Sequence, residues 1–401
     1  MENNKSSFRW FVLVLAALNL GIAMIAKGSV PPLFSEIQEQ IPLTKAQMGT
    51  TMGITNLASL LLAVFGGAFA DRFGARLIFG LAALIIAVSG ACRGFTGNAY
   101  EFISLMFIMG IGAAVIGPSL IKAVSTWFPK NQLAMANGIC FASMGIGGAL
   151  AMGTAANYLS PACGGWRGLM FTVGGLSVVM AILWLLMYRD KAKTPVKTEA
   201  KKDLNMKENF KKVLRVKDIW LLSMFFALYN AAIISVTSFM PIIFEERGFS
   251  RAGESVAVIL GTAVFFNIIG GTLSDKIGKR KIFLACCSII FGLCVISFGV
   301  LDGVLLLIPL VIAGAAFGTV APVLMAVPVE LEEIGQPLSG TAIGLIFMLG
   351  NTGGFIGPVL AGKIMDVTGM YWAGLIFMCA AFVVAAGLVM PLRETGKRMR
   401  R

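Results

Sequence analysis

The sequence of 401 residues contains no histidine, and only 13% of its residues are charged. Without histidine, the commonest general base and a frequent metal ligand are both absent. The seven cysteines show no Cys-x-x-Cys spacing, so neither a metal cluster nor a disulfide framework is indicated. We therefore expect no enzymatic activity, no metal site and no cofactor.

Apolar residues are abundant instead. They make up 57% of the chain, and the mean hydropathy is +0.85. This composition leaves too little polar surface to cover a soluble globule of the same length, so we expect the chain in a lipid bilayer. Its apolar segments are about 20 residues long or longer, the length of transmembrane helices and about twice that of barrel strands. The predicted fold class is an all-α integral membrane protein.

Twelve apolar segments are long enough to cross the bilayer. We number them helices 1 to 12, and they span residues 9–34, 45–70, 76–94, 99–127, 131–157, 166–188, 217–243, 252–273, 281–300, 303–329, 338–363 and 370–391. A polar gap separates the sixth from the seventh. We therefore predict a first six-helix bundle over 1–188, a basic linker over 189–216 and a second six-helix bundle over 217–401.

The basic residues that give the chain its net charge of +13 lie mainly on one side of this topology. The stretch from Arg189 to Lys217 alone holds eleven Lys/Arg and four Asp/Glu. Basic loops favour the cytoplasmic side, so both termini of a multi-pass plasma-membrane protein are expected there. The positive charge therefore indicates orientation in the membrane and no nucleic-acid partner. We expect a monomer.

A ten-residue pattern occurs twice, about half a chain apart. It runs from Gly67 to Arg76 between helices 2 and 3, and from Gly271 to Arg280 between helices 8 and 9. Both copies read G-x-x-x-D-[RK]-x-G-x-[RK]. The glycines allow close packing and a tight reversal, and the aspartate is able to pair with basic groups nearby.

Glycine spacing gives a second internal echo. Helix 5 contains Gly138, Gly147 and Gly148, and helix 11 contains glycines at corresponding spacing, namely Gly344, Gly353 and Gly354. Repeats of this kind predict two six-helix halves with the same orientation in the membrane.

The doubled loop motif, the count of six plus six helices and the basic central linker resemble the major facilitator superfamily over essentially the whole chain. The resemblance implies transport by alternating access, with the motif loops acting as a conformational latch. Carried onto this sequence, the latch residues are Gly67, Asp71, Arg72, Gly74 and Arg76 in the first copy and Asp275, Lys276, Gly278 and Arg280 in the second.

The same resemblance implies that helices 1, 4, 7 and 10 line the transport path, and two of them contain a lysine. Lys27 lies in helix 1 and Lys122 lies in helix 4. A charge inside the membrane is costly unless it faces water, a partner or a substrate. The apolar runs of helices 1, 4 and 5 contain no Asp or Glu, so we expect an electropositive cavity that binds a small anion. Snorkelling of either lysine to the membrane surface is the alternative.

Neutral polar residues near the middle of the membrane complete the predicted binding site. They are Asn19, Tyr229, Asn230 and Asn351. Each is able to orient an oxygen-rich solute, and each is equally able to form a structural hydrogen bond between helices.

Two branches of the superfamily share local features with this chain. Residues 127–138 resemble the signature that enters helix 5 of monocarboxylate porters, and Lys27 resembles their helix 1 lysine. Helix 8 lacks the Asp and Arg of those porters, and residues 344–358 resemble the glycine-rich helices of nitrate, nitrite and cyanate permeases. The cargo is therefore expected to be a monocarboxylate or similar organic anion, moved by proton symport or by exchange. An inorganic-anion permease, a proton-coupled drug exporter and a ligand-sensing receptor of the same fold stay open.

Overall fold

The structure is a computed structural model that describes residues 2–129, 132–189 and 206–396. Within these ranges the chain is helical and forms no strand. Twelve long helices follow one another along the chain. Their bounds are α1 Glu2–Gly28, α2 Lys45–Phe73, α3 Ala75–Cys92, α4 Ala99–Trp127, α5 Leu133–Thr154, α6 Trp166–Met187, α7 Lys217–Glu246, α8 Ala252–Ile277, α9 Arg280–Ser297, α10 Leu307–Glu330, α11 Gly335–Thr368 and α12 Tyr371–Val389. The predicted all-α membrane fold is confirmed.

Hydropathy locates these helices well, because each predicted span overlaps one of the twelve. In the described ranges, eleven helical stretches are long and apolar enough to cross a membrane, and α2 is a further helix of 29 residues. The largest extension is in α11, which has 34 residues. Its apolar run ends near Lys363, but the helix continues to a left-handed cap at Gly369, where φ is 67°.

The glycine spacing that helices 5 and 11 share places the same type of close contact in both helices. A side-chain carbon added to Gly147 would collide with the backbone carbonyl of Gly21 in α1. One added to Gly353 would collide with the carbonyl of Ala227 in α7. Glycine therefore lets α5 approach α1, and α11 approach α7, almost backbone to backbone. The first glycine of each echo has open space beside it.

Internal contacts divide the chain into two compact units. The first contains residues 1–192 and 238–260, and the second contains residues 193–237 and 261–401. The end of α7 and the start of α8 thus belong to the first unit. The division into two contiguous six-helix halves stays a prediction.

Side chains near residues 238–260 explain this grouping. Within the first unit, the ammonium of Lys45 lies 2.8 Å from the carboxylate of Glu246. The hydroxyl of Ser35 donates to Glu245 at 2.5 Å. A side-chain carbon added to Gly253 would collide with a backbone carbonyl near the end of α5. Charge pairing and close backbone contact therefore both join this segment to the first unit.

Candidate functional site

Lys27 lies in the last turn of α1, where the helix stops before two prolines. The N–H of Val30 bonds to the carbonyl of Lys27 at 3.4 Å, and Pro31–Leu33 forms a short 3-10 helix. Proline has no N–H with which to continue the α-helical pattern. The last carbonyls of α1 therefore need donors from outside the helix.

The side chain of Lys27 is half-buried. No hydrogen bond or ion pair joins its ammonium to any residue that the structure describes, and the ammonium is not among the enclosed unpartnered groups. Its charge is therefore compensated by no side chain or backbone carbonyl among the described residues. An ammonium at this depth is stabilised only by water or by an anion, which is compatible with the predicted role in substrate binding. That role stays a prediction.

Arg93 lies directly after α3 and is only 1% exposed. Its Nη2 donates to the carbonyl of Ala26 in α1 at 2.7 Å, and its Nε donates to the carbonyl of Gly90 at 3.2 Å. The guanidinium also contacts the sulfur of Met106 at 3.3 Å and lies 5.9 Å from the ring centroid of Phe102. No carboxylate of the described residues pairs with it. The end of α1 is thus bordered by a buried cation without an acidic partner.

Nothing in the sequence alone sets Arg93 apart, because an arginine at the end of an apolar run is the normal sign of a membrane interface. One signal does exist in the internal repeat. Asp71 and Asp275 of the doubled motif are 204 positions apart, and the position 204 residues after Arg93 is Ser297. The charge of Arg93 therefore has no counterpart in the second half.

The other two predicted ligands of the first unit bond to the backbone. Asn19 is 5% exposed, and its amide donates to the carbonyls of Leu15 at 2.9 Å and Met180 at 3.2 Å. Lys122 donates to the carbonyl of Ala70 at 2.6 Å. These bonds join α1 to α6 and α4 to the end of α2. A role of either residue in binding a solute stays a prediction.

The second unit contains the remaining three predicted ligands. Tyr229 is 2% exposed, and its hydroxyl is buried without a hydrogen-bond partner among the described residues. Asn230 donates to the carbonyl of Gly350 at 2.9 Å, which joins α7 to α11. Asn351 is half-buried and makes no hydrogen bond within the described part of the chain. Asn351 thus keeps a polar group without a partner in the described part of the chain, the hydroxyl of Tyr229 is enclosed, and Asn230 joins two helices.

The first copy of the loop motif reverses the chain between α2 and α3. Gly74 has φ 89°, a conformation that favours glycine. The Nε of Arg76 donates at 2.6 Å to a backbone carbonyl near the end of α6, and Arg72 is exposed. The surroundings of Gly67 and the side chain of Asp71 lie outside the described part of the structure. The latch function stays a prediction.

The second copy has the same turn and an additional charge cluster. Gly278 has φ 67°, matching the first copy. The guanidinium of Arg280 lies 2.5 Å from Asp275 and 2.7 Å from Glu330, and its side chain is 7% exposed. Lys276 is exposed and has no partner within the described ranges. The motif arginine thus joins its own loop to the end of α10.

Residues after α12 extend this charge cluster within the second unit. Arg393 lies 2.6 Å from Asp218 and 2.9 Å from Glu333, and Thr395 donates to Glu330 at 3.1 Å. The hydrogen bond from Arg393 lowers the pKa of Glu333. The two carboxylates in turn raise the pKa of Arg393 above its usual value. The end of the described chain is therefore bound electrostatically to this unit.

An apolar groove between α1 and α5 is a poor candidate for a solute site. It has a volume of about 380 Å³, and its lining includes Leu18, Ile146 and Leu150, which are each about half exposed. The groove presents no charged side chain, so it matches lipid chains better than an anion. The described residues also contain no cluster of three or more His, Cys, Asp or Glu that is able to hold a metal.

The sequence matches a known protein family over most of its length. The pattern that describes the Major Facilitator Superfamily matches residues 16–336 and 256–400. Together the two matches cover nearly the whole chain.

Individual relatives span almost the same length. A hexuronate transporter of Bacillus subtilis (strain 168) is 26% identical over 377 residues, which are 88% of this chain and 85% of the relative. A nitrite extrusion protein of the same strain is 26% identical over 389 residues, covering 95% and 93%. The crystal structure of a bacterial homolog to the human lysosomal transporter Spinster, inward-facing and occupied, matches with a TM-score of 0.80. It covers 97% of both chains at 18% identity, which supports the fold alone.

Proposed function

This chain belongs to the Major Facilitator Superfamily, and we propose that it is a secondary transporter of a small organic anion such as a monocarboxylate. In this proposal it works by alternating access in the plasma membrane. Both termini lie in the cytoplasm, on the side of the basic linker 189–216. The chain acts as a monomer, by proton symport or by anion exchange.

The observation that carries this proposal is the ammonium of Lys27. It has no partner among the described residues, and Arg93 beside the end of α1 also lacks a carboxylate. A cation without an acidic partner raises the local positive potential, which favours the entry of anions. A dissolved carboxylate would supply the negative charge that the protein itself does not provide there.

The relatives support the class of cargo. Hexuronate carries a carboxylate, and nitrite is an inorganic oxyanion. A small inorganic anion is therefore the second candidate, favoured by the nitrite extrusion protein that aligns with 95% of this chain. Both candidates require a positively charged site, and they differ in the size of the space around it.

Uptake into proteoliposomes tests the proposal. We expect saturable uptake of labelled D-glucuronate, lactate or nitrite at controlled pH and voltage. Replacement of Lys27 by Gln should abolish saturable uptake, because a charge in a partly dehydrated site interacts with an anion by several kcal/mol more than in water. Lys27→Arg should retain part of it, since the charge is kept with a bulkier planar head.

The control is Lys363→Gln, which removes an exposed lysine from α11. We expect it to leave uptake unchanged. Wild-type affinity in Lys27→Gln would contradict the assignment of Lys27 to the site. Saturable uptake of neutral or cationic solutes only would contradict the anion proposal as a whole.

A further inference from the structure

Arg93 cannot touch a dissolved solute, because it is only 1% exposed. It nevertheless carries a full charge in the protein interior, which is expensive when no partner compensates it. Ion pairs do not provide the compensation, since no carboxylate among the described residues pairs with it. The compensation must come from the groups that accept its hydrogen bonds.

Those acceptors are the ends of two helices. The carbonyl of Ala26 belongs to the last turn of α1, and the carbonyl of Gly90 belongs to the last turn of α3. The C-terminus of a helix carries roughly half a negative charge. Two such ends together carry about as much charge as one guanidinium, so Arg93 is stabilised without an acid.

The hydrogen bond from Arg93 to α1 is made to a carbonyl at the point where the helix ends. Within an α-helix the carbonyl of Ala26 would accept from the N–H of Val30, but that N–H bonds to the carbonyl of Lys27 instead. The carbonyl of Ala26 accepts instead from Arg93 at 2.7 Å and, over a longer distance of 3.4 Å, from the hydroxyl of Ser29. Arg93 thereby fixes the backbone one residue before Lys27, at the point where α1 ends.

We propose that Arg93 is a positioning residue for anion binding: by holding the end of α1, it sets the direction in which the Lys27 ammonium points. This inference rests on the proposed function, in which Lys27 contacts the anion. Arg93 acts on the site through the backbone of α1. It does so without contacting the cargo.

Packing alone would not require an arginine at this position. The side chain contacts the sulfur of Met106 and lies near the ring of Phe102, so a methionine of similar length fits the same surroundings. A buried charge without an ionic partner is itself costly, so its removal offsets part of the loss of the two hydrogen bonds. Arg93→Met is therefore expected to fold and to report on function.

The test is a double-mutant cycle with Arg93→Met, Lys27→Arg and the combination, measured as nitrite and D-glucuronate uptake, because Lys27→Arg is expected to keep a measurable KM. Arg93→Met should raise KM about tenfold with a nearly unchanged maximal rate, the size of coupling typical of residues in one network. Combined with Lys27→Arg it should raise KM by less than the product of the two separate effects. Arg93→Lys should restore part of the affinity, since lysine keeps the charge and one hydrogen bond to Ala26.

A second measurement does not depend on transport. Methylation of Lys27 by formaldehyde and cyanoborohydride is quantified by mass spectrometry across a pH series. It reports the accessibility and reactivity of the Lys27 amine. Arg93→Met should change this pH profile. The matched control is Arg167→Met, because Arg167 donates at 2.7 Å to the carbonyl of Gly94 without bonding to α1. The control should leave both the methylation profile and KM unchanged.

The outcomes separate the two proposals. If Lys27→Gln impairs uptake but Arg93→Met leaves KM and methylation unchanged, or its effect on KM adds fully to that of Lys27→Arg, the positioning role is wrong. If Lys27→Gln leaves uptake intact while Arg93→Met still alters the methylation of Lys27, the proposed anion site fails and the structural coupling stands.

Discussion

Arg393 and Asp218 are 175 positions apart in the sequence and lie 2.6 Å apart in the structure. The aspartate side chain is 4% exposed, whereas the arginine side chain is 59% exposed. Asp218 also lies in the first turn of α7, where a helix favours negative charge. A residue beyond the last helix thus covers a buried carboxylate at the start of α7, which ties the two ends of the second unit together.

Arg393 also pairs with Glu333, and this second contact makes the stability of the protein depend on pH. The hydrogen bond from Arg393 lowers the pKa of Glu333 in the folded protein. The pair therefore stabilises the fold fully above the ordinary glutamate pKa of about 4.3. This stabilisation is lost as the pH falls through the lower pKa of the folded state. The melting temperature in detergent should therefore fall on acidification. Arg393→Gln and Glu333→Gln should each reduce that pH dependence. An unchanged pH dependence in both variants would contradict the assignment.

Glu330→Gln should destabilise the second unit. It leaves the little-exposed guanidinium of Arg280 with Asp275 as its one remaining carboxylate partner among the described residues. We expect a loss of about 1 to 2 kcal/mol in the free energy of unfolding, less than for a fully buried pair because the site is partly hydrated. Glu332→Gln is the control, since Glu332 is exposed. Equal stability of the two variants would rule out a structural role for the cluster.

Asp71→Asn should slow or abolish transport while the protein still inserts in the membrane. The predicted latch pairs this carboxylate with basic groups in one state of the cycle only, so its loss changes the balance of states. Uptake rate and membrane insertion are measured together, with Glu39→Gln, an exposed acid, as the control. Unchanged transport would identify Asp71 as an ordinary surface acid.

Reversing the charge of Lys45 alone should change the uptake rate, and reversing both Lys45 and Glu246 should restore it. Their ion pair is partly exposed and is worth up to about 1 kcal/mol, or roughly a fivefold shift between states. If transport separates the end of α7 from α2, the pair breaks once per cycle. Lys45→Glu alone should therefore change the uptake rate, and Lys45→Glu with Glu246→Lys should restore it. Failure of the double variant to recover would show that the pair does not control the cycle.

Orientation is testable in the linker. In a variant without native cysteines, one cysteine introduced within 195–205 should react with impermeant reagents from the cytoplasmic side alone. The expectation rests on the eleven basic residues between Arg189 and Lys217. Labelling of intact cells from outside would reverse the predicted topology.

Local properties were predictable from the sequence, and distant contacts were not. Hydropathy located every long helix, because burial in lipid depends on a continuous run of residues. The motif glycines were equally readable, since the positive φ of Gly74 and Gly278 is a local requirement. Lys27 stood out because a charge inside an apolar run has few explanations.

Arg93 and Arg393 were missed for the opposite reason. Each is ordinary in its own stretch of sequence and becomes informative through a partner far along the chain. Ala26 is 67 positions from Arg93, and Asp218 is 175 positions from Arg393. A backbone carbonyl such as that of Ala26 also leaves no side-chain signal, so no pattern of residue types was able to reveal that contact.

The two helix ends that accept the hydrogen bonds of Arg93 have a consequence for coupling. A carboxylate partner would gain or lose a proton as the pH changes, but a peptide carbonyl has no proton to exchange, and arginine is not deprotonated in proteins. The charge of Arg93 is therefore constant over the physiological pH range. Any acid dependence of uptake must arise from other groups that exchange protons, among them the amine of Lys27 and an acidic cargo, and comparing cargoes of different acidity would distinguish these two origins.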